Sequence, residues 1–537
     1  MGDQALEWNL IHRVNVGDAL ARTTAAHPHQ EAIVDGPRRY SYADFNGWVN
    51  RTAHGLLSHG YKRGDALALM AGNCAEFLVT YYACARIGVV VVPINLGWLE
   101  AETSYVLRHA KVRGIVVETQ LLAQLRIALA QAPDVRDIFV APGTEPEMQL
   151  DPQRYLRFEA LHGSSQPPQV RVDDRDPITY LYTSGTTAAP KGVVGSHLAI
   201  HIESLTVAID LELRRRDRMV CLMPMFHTAQ LNAFCTPAVS VGAAMVLLRD
   251  FDAERLLDLV AHERLTVLFA LPMMYRQLVE RQRQAPRQVK SLRLAIYAMT
   301  AMPDPELRAA IEVFDCDFAL MFGQTEMSPV ATIFRPEHQL SHVGAVGTPS
   351  VNVQVAIMAA DGTLLPPNTT GEIVYRSPHT TERYLDDATA TATAFRFGWF
   401  HSGDTGRLGD DGMLWFEDRS KDVIKSGAEN VASLEVEKQV YEVAPEIAQA
   451  VVIGLPHPHW IEAVTVIAVA KPGATIDPAT VIAALAGRLA PYKLPRAVIV
   501  VKAMPMTSTG KIQKHVLRQR HANFYDDIVD GPRRVGT

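Results

Sequence analysis

From Tyr182 to Gly192 the chain reads Tyr-Thr-Ser-Gly-Thr-Thr-Ala-Ala-Pro-Lys-Gly. Thr183, Ser184, Thr186 and Thr187 supply hydroxyls, Gly185 opens the backbone, and Lys191 adds a positive charge. Hydroxyls, accessible N–H groups and one ammonium suit phosphate oxygens. The spacing from Gly185 to Lys191 is that of a P-loop. Pro190 stands where that motif has its second glycine, and Gly192 where it has the Ser or Thr that meets Mg²⁺. The stretch therefore reads as a phosphate loop of another kind. The density of hydroxyls, closed by Pro-Lys-Gly, separates it from an ordinary surface turn.

Four more segments follow: Met223-Pro-Met-Phe-His-Thr-Ala-Gln-Leu231, Leu320-Met-Phe-Gly-Gln-Thr-Glu326, Trp399-Phe-His-Ser-Gly-Asp404 and Pro505-Met-Thr-Ser-Thr-Gly-Lys511. Singly, the first reads as a core or surface histidine, the second as a helix-start Thr-Glu pair and the last as a basic surface turn. Together and in this order the five segments resemble those of the adenylate-forming superfamily, in particular AMP-forming acyl-CoA synthetases of the fatty acyl-CoA ligase type. The resemblance runs from the first α/β half to Lys511.

The resemblance implies roles. Thr183, Ser184, Gly185, Thr186, Thr187 and Lys191 would hold the phosphates of ATP. His227 would sit beside the substrate carboxylate, with Phe226, Leu231, Met299 and Gly323 along the acyl pocket. Thr300, Gln324 and Thr325 would line the nucleotide site, Thr325 at the α-phosphate. Glu326 would bind Mg²⁺, which takes oxygen ligands, commonly one or two carboxylates with phosphate oxygens. Asp404 would accept from both ribose hydroxyls, and Arg419 would join it. Lys421 matches a hinge position. Gly427 and Lys493 match places facing CoA, and Lys511 matches the catalytic lysine that stabilises charge as pyrophosphate leaves. The catalytic set is thus Lys511, His227, Glu326 and Thr325. The sequence departs from the family at Ala188 and Ala428, which replace glycines, at Met299, where a small residue is common, and at Ala301, where proline is common.

The elements that must position these residues are legible in part. With 537 residues, 48% of them apolar and 20% charged, the chain suits a soluble protein of two or more domains. A net charge of −6 makes no electrostatic case for nucleic acid. Five scattered cysteines without metal spacing read as reduced core thiols of a cytosolic protein. No signal peptide is seen at Met1, and the apolar run Ile87 to Leu99 is too short for a bilayer and is interrupted by Pro93 and Asn95. From about residue 15, helices (Val16–Ala26, Tyr42–His59, Cys74–Ile87) alternate with strands (Glu31–Asp35, Ala66–Met70, Val89–Pro93), which argues for parallel α/β sheets. After Val343 alternating strands with tight turns, Asp361-Gly362 and Asp411-Gly412 among them, indicate a β-rich subdomain. From Val423 an α+β domain is read, with strands Gln449–Ile453 and Val464–Val469 and helices Ala479–Leu489 and Lys514–Arg520. The run Arg214–Arg218 and the tract Pro456-His-Pro-His-Trp460 read as solvated surface.

The fold class expected is α/β: a large N-terminal domain of α/β subdomains with a β-rich subdomain, residues 1–418, and a small mobile α+β C-terminal domain, residues 419–537. The activity expected is ligation of a carboxylic acid, read as a fatty acid, to CoA through acyl-AMP, with ATP, Mg²⁺ and CoA. An aryl-acid CoA ligase, an enzyme loading a carrier protein, a luciferase-type oxidative enzyme and a non-catalytic adenylate-binding protein are the alternatives. The expected partners are these small molecules and a second copy in a homodimer, with no nucleic acid and no transmembrane segment, in the cytoplasm.

Overall fold

The computed structural model describes residues 4–144, 150–183, 190–298, 302–419, 422–426, 429–457, 459–507 and 511–526. The chain packs as two compact units, Met1–Val355 with Tyr375–Phe400, and Ala356–Val374 with His401–Thr537.

Among the described residues the first unit carries two large sheets. One runs in the order Thr348–Pro349, Val330–Phe334, Asp317–Gly323, Leu294–Ala298, Val267–Phe269, Arg218–Cys221, Ala244–Leu247, Glu31–Asp35, Arg38–Ser41. Its strands from Asp317–Gly323 to Glu31–Asp35 are parallel, and its rims are antiparallel. The other runs Leu156–Arg157, Asp137–Ala141, Val112–Glu118, Ala66–Met70, Val90–Pro93, Pro177–Thr183, Lys191–Ser196. Only its last pair is antiparallel. Parallel strands are covered on both faces and read as unbroken apolar runs; every residue of Ala66–Met70 is buried.

The helix Ala75–Ile87 is buried along its whole length. A helix that is mostly apolar all round belongs inside a protein; here the buried Glu76 is paired with Arg38. Its Phe77 and Tyr81 share one apolar core with Leu69 and Val91 of one sheet and Ile33 and Met245 of the other. The helix Tyr42–Ser58 opens at Ser41, whose hydroxyl and Asp44 form a capping box. These elements match the sequence reading.

In the second unit the strands Ile447–His457 and Ile461–Ala470 form a long hairpin, with Ala497–Val500 parallel to the latter. Successive residues point to opposite faces. Val452 and Val466 pack with Val436 and Val440 of the helix Ser433–Val443, while Val451 and Ile467 pack with Leu517 and Tyr525.

Three expectations change. The helix expected to reach Leu489 spans Pro478–Leu485. Ala486 is already extended, and Gly487 has φ of 83°, a left-handed conformation that stops the helix. Within the basic run, Arg214, Arg215 and Arg216 are exposed, but Asp217 is buried. Asp217 pairs with Arg293 at 2.6 Å, and Arg218 pairs with Glu31 at 2.6 Å. Four of the five free cysteines are buried, while Cys316 is half-buried. At the tip of the long hairpin His457 is half-buried and His459 exposed. No helix among the described residues is long and apolar enough to cross a membrane.

Ile461, at the same tip, is 64% exposed and has φ of 65°. A left-handed backbone costs a residue with a Cβ about 1–2 kcal/mol, and a β-branched residue there is an outlier. Glycine at this position loses roughly 0.5–1 kcal/mol in chain entropy. Ile461→Gly therefore stabilises the second unit by about 1 kcal/mol, read as a higher melting midpoint in calorimetry. An unchanged midpoint means that contacts of the isoleucine side chain offset the strain.

Candidate active site

Parallel strands end on one edge, and ligands of open α/β sheets bind outside the carboxyl ends of their strands. In the first sheet Arg218–Cys221, Leu294–Ala298 and Asp317–Gly323 point the same way. The segments holding His227, Met299 with Thr300, and Gln324 to Glu326 each follow one of these carboxyl ends. The topology thus brings three separate sequence motifs to one sheet edge.

Thr183 ends one strand of the second sheet, and Lys191 starts the next, directly opposite in the antiparallel register. Thr183 and Lys191 are therefore neighbours. Ser184, Gly185, Thr186, Thr187 and Ala188 lie outside the described residues, as do Met299, Thr300 and Ala301. Below the loop, Tyr182 meets His109 Nδ1 at 2.7 Å through its hydroxyl. Burial pushes the Tyr182 phenol well above its ordinary pKa.

His227 caps a short helical turn, its Nδ1 accepting from the Ala229 N–H at 3.2 Å. In the neutral ring that bond puts the proton on Nε2. The segment is held from outside by Asn73, whose Oδ1 accepts from the Met225 N–H at 3.0 Å and whose Nδ2 donates to the Met223 carbonyl at 3.0 Å. Gln230 Oε1 accepts from the Met223 N–H at 3.0 Å. Phe226 is half-buried against the apolar core, and Leu231 is fully buried within it. Leu231–Cys235 forms a π-helical turn, a feature frequent at functional sites.

Gly323 ends its strand where a Cβ would lie 2.0 Å from the Pro329 carbonyl oxygen, so only glycine fits. Gln324 donates its N–H to the same oxygen at 2.9 Å, and Thr325–Met327 makes a 3₁₀ turn. The half-buried Glu326 carboxylate accepts from the Tyr384 hydroxyl at 2.9 Å through Oε1. Lys191 Nζ lies 5.2 Å from the centroid of the same tyrosine ring. An ammonium and a carboxylate on one neutral phenol offer a place for an anion beside a place for a cation.

The turn that follows rests on a buried pair. His379 Nδ1 is 2.8 Å from Glu203 Oε2 and 2.8 Å from the Met327 carbonyl, and Glu203 Oε1 accepts from the Val330 N–H at 3.0 Å. Burial raises the Glu203 pKa above the usual carboxylate value, opposed by His379. Tyr384, His379, Glu203 and Asn73 escaped the sequence reading.

In the second unit Asp404 and Arg419 face each other across the hairpin of Trp399–Leu408 and Leu414–Arg419. Arg419 Nε is 3.5 Å from Asp404 Oδ1, and Asp404 is buried. Glu372 fixes the approach to Asp404: its carboxylate meets His401 Nδ1 at 2.8 Å and the Gly403 N–H at 3.1 Å. Lys421, Gly427 and Ala428 lie outside the described residues. Lys493 Nζ sits 2.7 Å from both carboxylate oxygens of Glu435. Lys511 is exposed on a loop closed by its own backbone: its N–H donates to Thr507 Oγ1 at 2.9 Å, and its carbonyl accepts from the Thr507 N–H at 2.7 Å.

The sequence profile of the AMP-binding enzymes matches residues 20–385, and that of the AMP-binding enzyme C-terminal domain matches residues 435–511. The chain belongs to the AMP-binding enzyme family. An indoleacetate–CoA ligase of Aromatoleum aromaticum is 32% identical, over 94% of this chain and 98% of its own. A long-chain-fatty-acid–CoA ligase of Mycobacterium tuberculosis is 30% identical, over 95% of this chain and 99% of its own. The crystal structure of ATP-bound MatB from Rhodopseudomonas palustris superposes with a TM-score of 0.84 at 27% identity, over 95% of this chain and 100% of its own. Membership bears out the superfamily, the fold class and the enzyme class read from the motifs, an AMP-forming acyl-CoA synthetase. The acid differs among these AMP-binding enzymes, so membership alone leaves it open.

Proposed function

We propose that this chain activates a fatty acid with ATP, giving acyl-AMP and pyrophosphate, and then passes the acyl group to CoA. The observation that carries the proposal is the joining of Lys191 and Glu326 through Tyr384. In the first step a carboxylate oxygen attacks the α-phosphorus, and the bond to pyrophosphate breaks. Thr183 to Thr187 and Lys191 hold the polyphosphate, with Thr300, Gln324 and Thr325 around the nucleotide. His227 donates from Nε2 to the substrate carboxylate, and Phe226, Met299 and Gly323 shape the acyl pocket, with Leu231 in the core against which Phe226 packs.

Glu326 suits Mg²⁺, being a hard oxygen donor already oriented by a hydrogen bond. No group of three His, Cys, Asp or Glu gathers among the described residues. This agrees with an ion that takes most of its ligands from phosphate and water. When bound, Mg²⁺ would neutralise charge on the phosphates. Asp404 and Arg419 hold the ribose, and Lys511 stabilises charge as pyrophosphate leaves.

In the second step the CoA sulfur attacks the acyl carbon and AMP departs. Two chemistries on one acyl group call for a conformational step. We assign it to rotation of residues 419–537 against 1–418 about Lys421, which withdraws Lys511 and presents the Gly427 loop and Lys493. Five free cysteines support a cytoplasmic location.

The identity to an indoleacetate–CoA ligase favours an aryl acid as the second reading. The test is CoA-dependent AMP formation across aliphatic and aromatic acids. Selective turnover of long aliphatic acids supports the first reading, and selective turnover of aromatic acids replaces it. AMP release that ignores CoA but answers to an acyl carrier protein removes CoA ligation.

Met299 follows the carboxyl end of Leu294–Ala298. Its side chain is long and flexible, where the resemblance to the family implies that a small residue is common. Met299→Gly shifts preference toward longer or bulkier acids, by about 0.8 kcal/mol for each methylene newly buried. The same panel checks this. An unchanged rank order puts Met299 outside the pocket.

A further inference from the structure

Residues 379–385 run as a strap between two chemically active parts of the first unit. On one side they are stitched to the strand that begins at Lys191: the Leu385 N–H donates to the Gly192 carbonyl at 2.8 Å, and Thr381 Oγ1 donates to the Val194 carbonyl at 2.8 Å. On the other side they are stitched to the Glu326 turn. The Thr381 N–H donates to the Glu326 carbonyl at 2.6 Å, and His379 Nδ1 meets the Met327 carbonyl. Tyr384 is the side chain that spans the two. Its hydroxyl reaches Glu326 Oε1, its ring lies under Lys191 Nζ, and its own N–H is tied to Thr391 Oγ1 at 3.0 Å.

A glutamate has three rotatable side-chain bonds, and a metal ligand that must first be ordered binds weakly. Hydrogen bonds from outer groups to ligating carboxylates supply that order, and their loss typically weakens metal affinity 10–100-fold. A cation held over an aromatic face is likewise held in place. Burial, followed by the Glu326 charge, pushes the Tyr384 phenol far above its ordinary pKa, so the hydroxyl remains a donor at every working pH.

Resting on the proposed adenylation reaction, we propose that Tyr384 is a positioning residue of that step. Its hydroxyl fixes Glu326 so that Oε2 is presented to a phosphate-bound divalent cation, and its ring holds Lys191 beside the same phosphates. Anion site and cation site are thereby set in one register by a single side chain from a third segment.

The test is Mn²⁺ binding to the full chain saturated with ATP, followed by electron paramagnetic resonance of the unbound ion. Tyr384→Phe keeps the ring and removes the donor. It is expected to weaken Mn²⁺ binding about tenfold or more, with an unchanged melting midpoint. Tyr384→Leu, which also removes the ring, is expected to weaken ATP binding measured without metal, whereas Tyr384→Phe leaves that binding as it was. In a Glu326→Gln background the Tyr384→Phe change is expected to have no further effect on Mn²⁺ affinity, because groups acting as one unit are not additive. Wild-type Mn²⁺ affinity in Tyr384→Phe, or full additivity in the double variant, overturns the proposal. If wild type itself binds no Mn²⁺ with ATP, the role of Glu326 falls and this proposal with it. Failure of the ligase reading shows separately, as acid-independent or absent AMP formation by a wild type that does bind Mn²⁺ and ATP.

Discussion

Lys511→Ala lowers acyl-adenylate formation by a factor on the order of 10²–10³, the effect of removing one preorganised charge from a developing oxyanion. Acid-dependent exchange of labelled pyrophosphate into ATP measures it. The size follows from the role proposed for the ammonium: it would act where charge grows as the α-phosphate loses pyrophosphate, and no neutral side chain would repeat that. The loop is closed through the Lys511 backbone and Thr507, and alanine keeps those bonds. A melting midpoint equal to that of wild type shows the loss to be one of chemistry and not of folding. Synthetic acyl-AMP bypasses the step, and CoA transfer from it stays near the wild-type rate. Equal loss in both half-reactions removes Lys511 from this role.

Lys421→Pro separates the half-reactions. The flanks of Lys421 are anchored: the Asp422 and Val423 N–H groups donate to the Arg419 carbonyl at 2.7 and 3.1 Å, and Asp422 pairs with Arg518 at 2.8 Å. The two hydrogen bonds span Lys421, so a large rotation between residues 419 and 422 must break them. Proline fixes φ near −65° and removes the N–H, so one backbone angle cannot serve two conformers. The expected result is retained pyrophosphate exchange, since the proposed role of Lys511 puts adenylation first, with collapse of acyl-CoA production from acyl-AMP. Ser420→Ala, which leaves φ free, is the control and keeps both. A Lys421→Pro enzyme with both half-reactions near wild type moves the hinge elsewhere in 418–422 or removes domain alternation.

Much of the scaffold was legible because it is written locally. Ala66–Met70 is an apolar run of strand length, and Ser41 with Asp44 announces the helix that follows. The motif residues were legible for the same reason, since each sits in a short contiguous segment. What stayed hidden is written across the chain. Tyr384 is 58 residues from Glu326, and Asn73 is 152 from Met225. Neither has a neighbour in sequence that hints at its partner. Glu203 and His379 look like an ordinary helix glutamate and loop histidine until the fold buries them together. Local propensity also misleads where tertiary structure overrides it: nothing in Trp460-Ile-Glu462 suggests a left-handed isoleucine, and the π-turn at Leu231–Cys235 has no pattern of its own.

The distribution of thiols makes the chain quiet toward sulfur reagents. Thiolate, not thiol, is the reactive form. Cys74, Cys84, Cys221 and Cys235 are buried, and burial pushes the half-buried Cys316 up to about 12. A chromogenic disulfide added to a working reaction therefore titrates the thiol of CoA with little background from the native protein. Added to a heated sample it counts unfolded chains, since each one uncovers four buried thiols and the rest of Cys316. The same reagent thus serves as a meter of turnover and as an alarm for loss of structure.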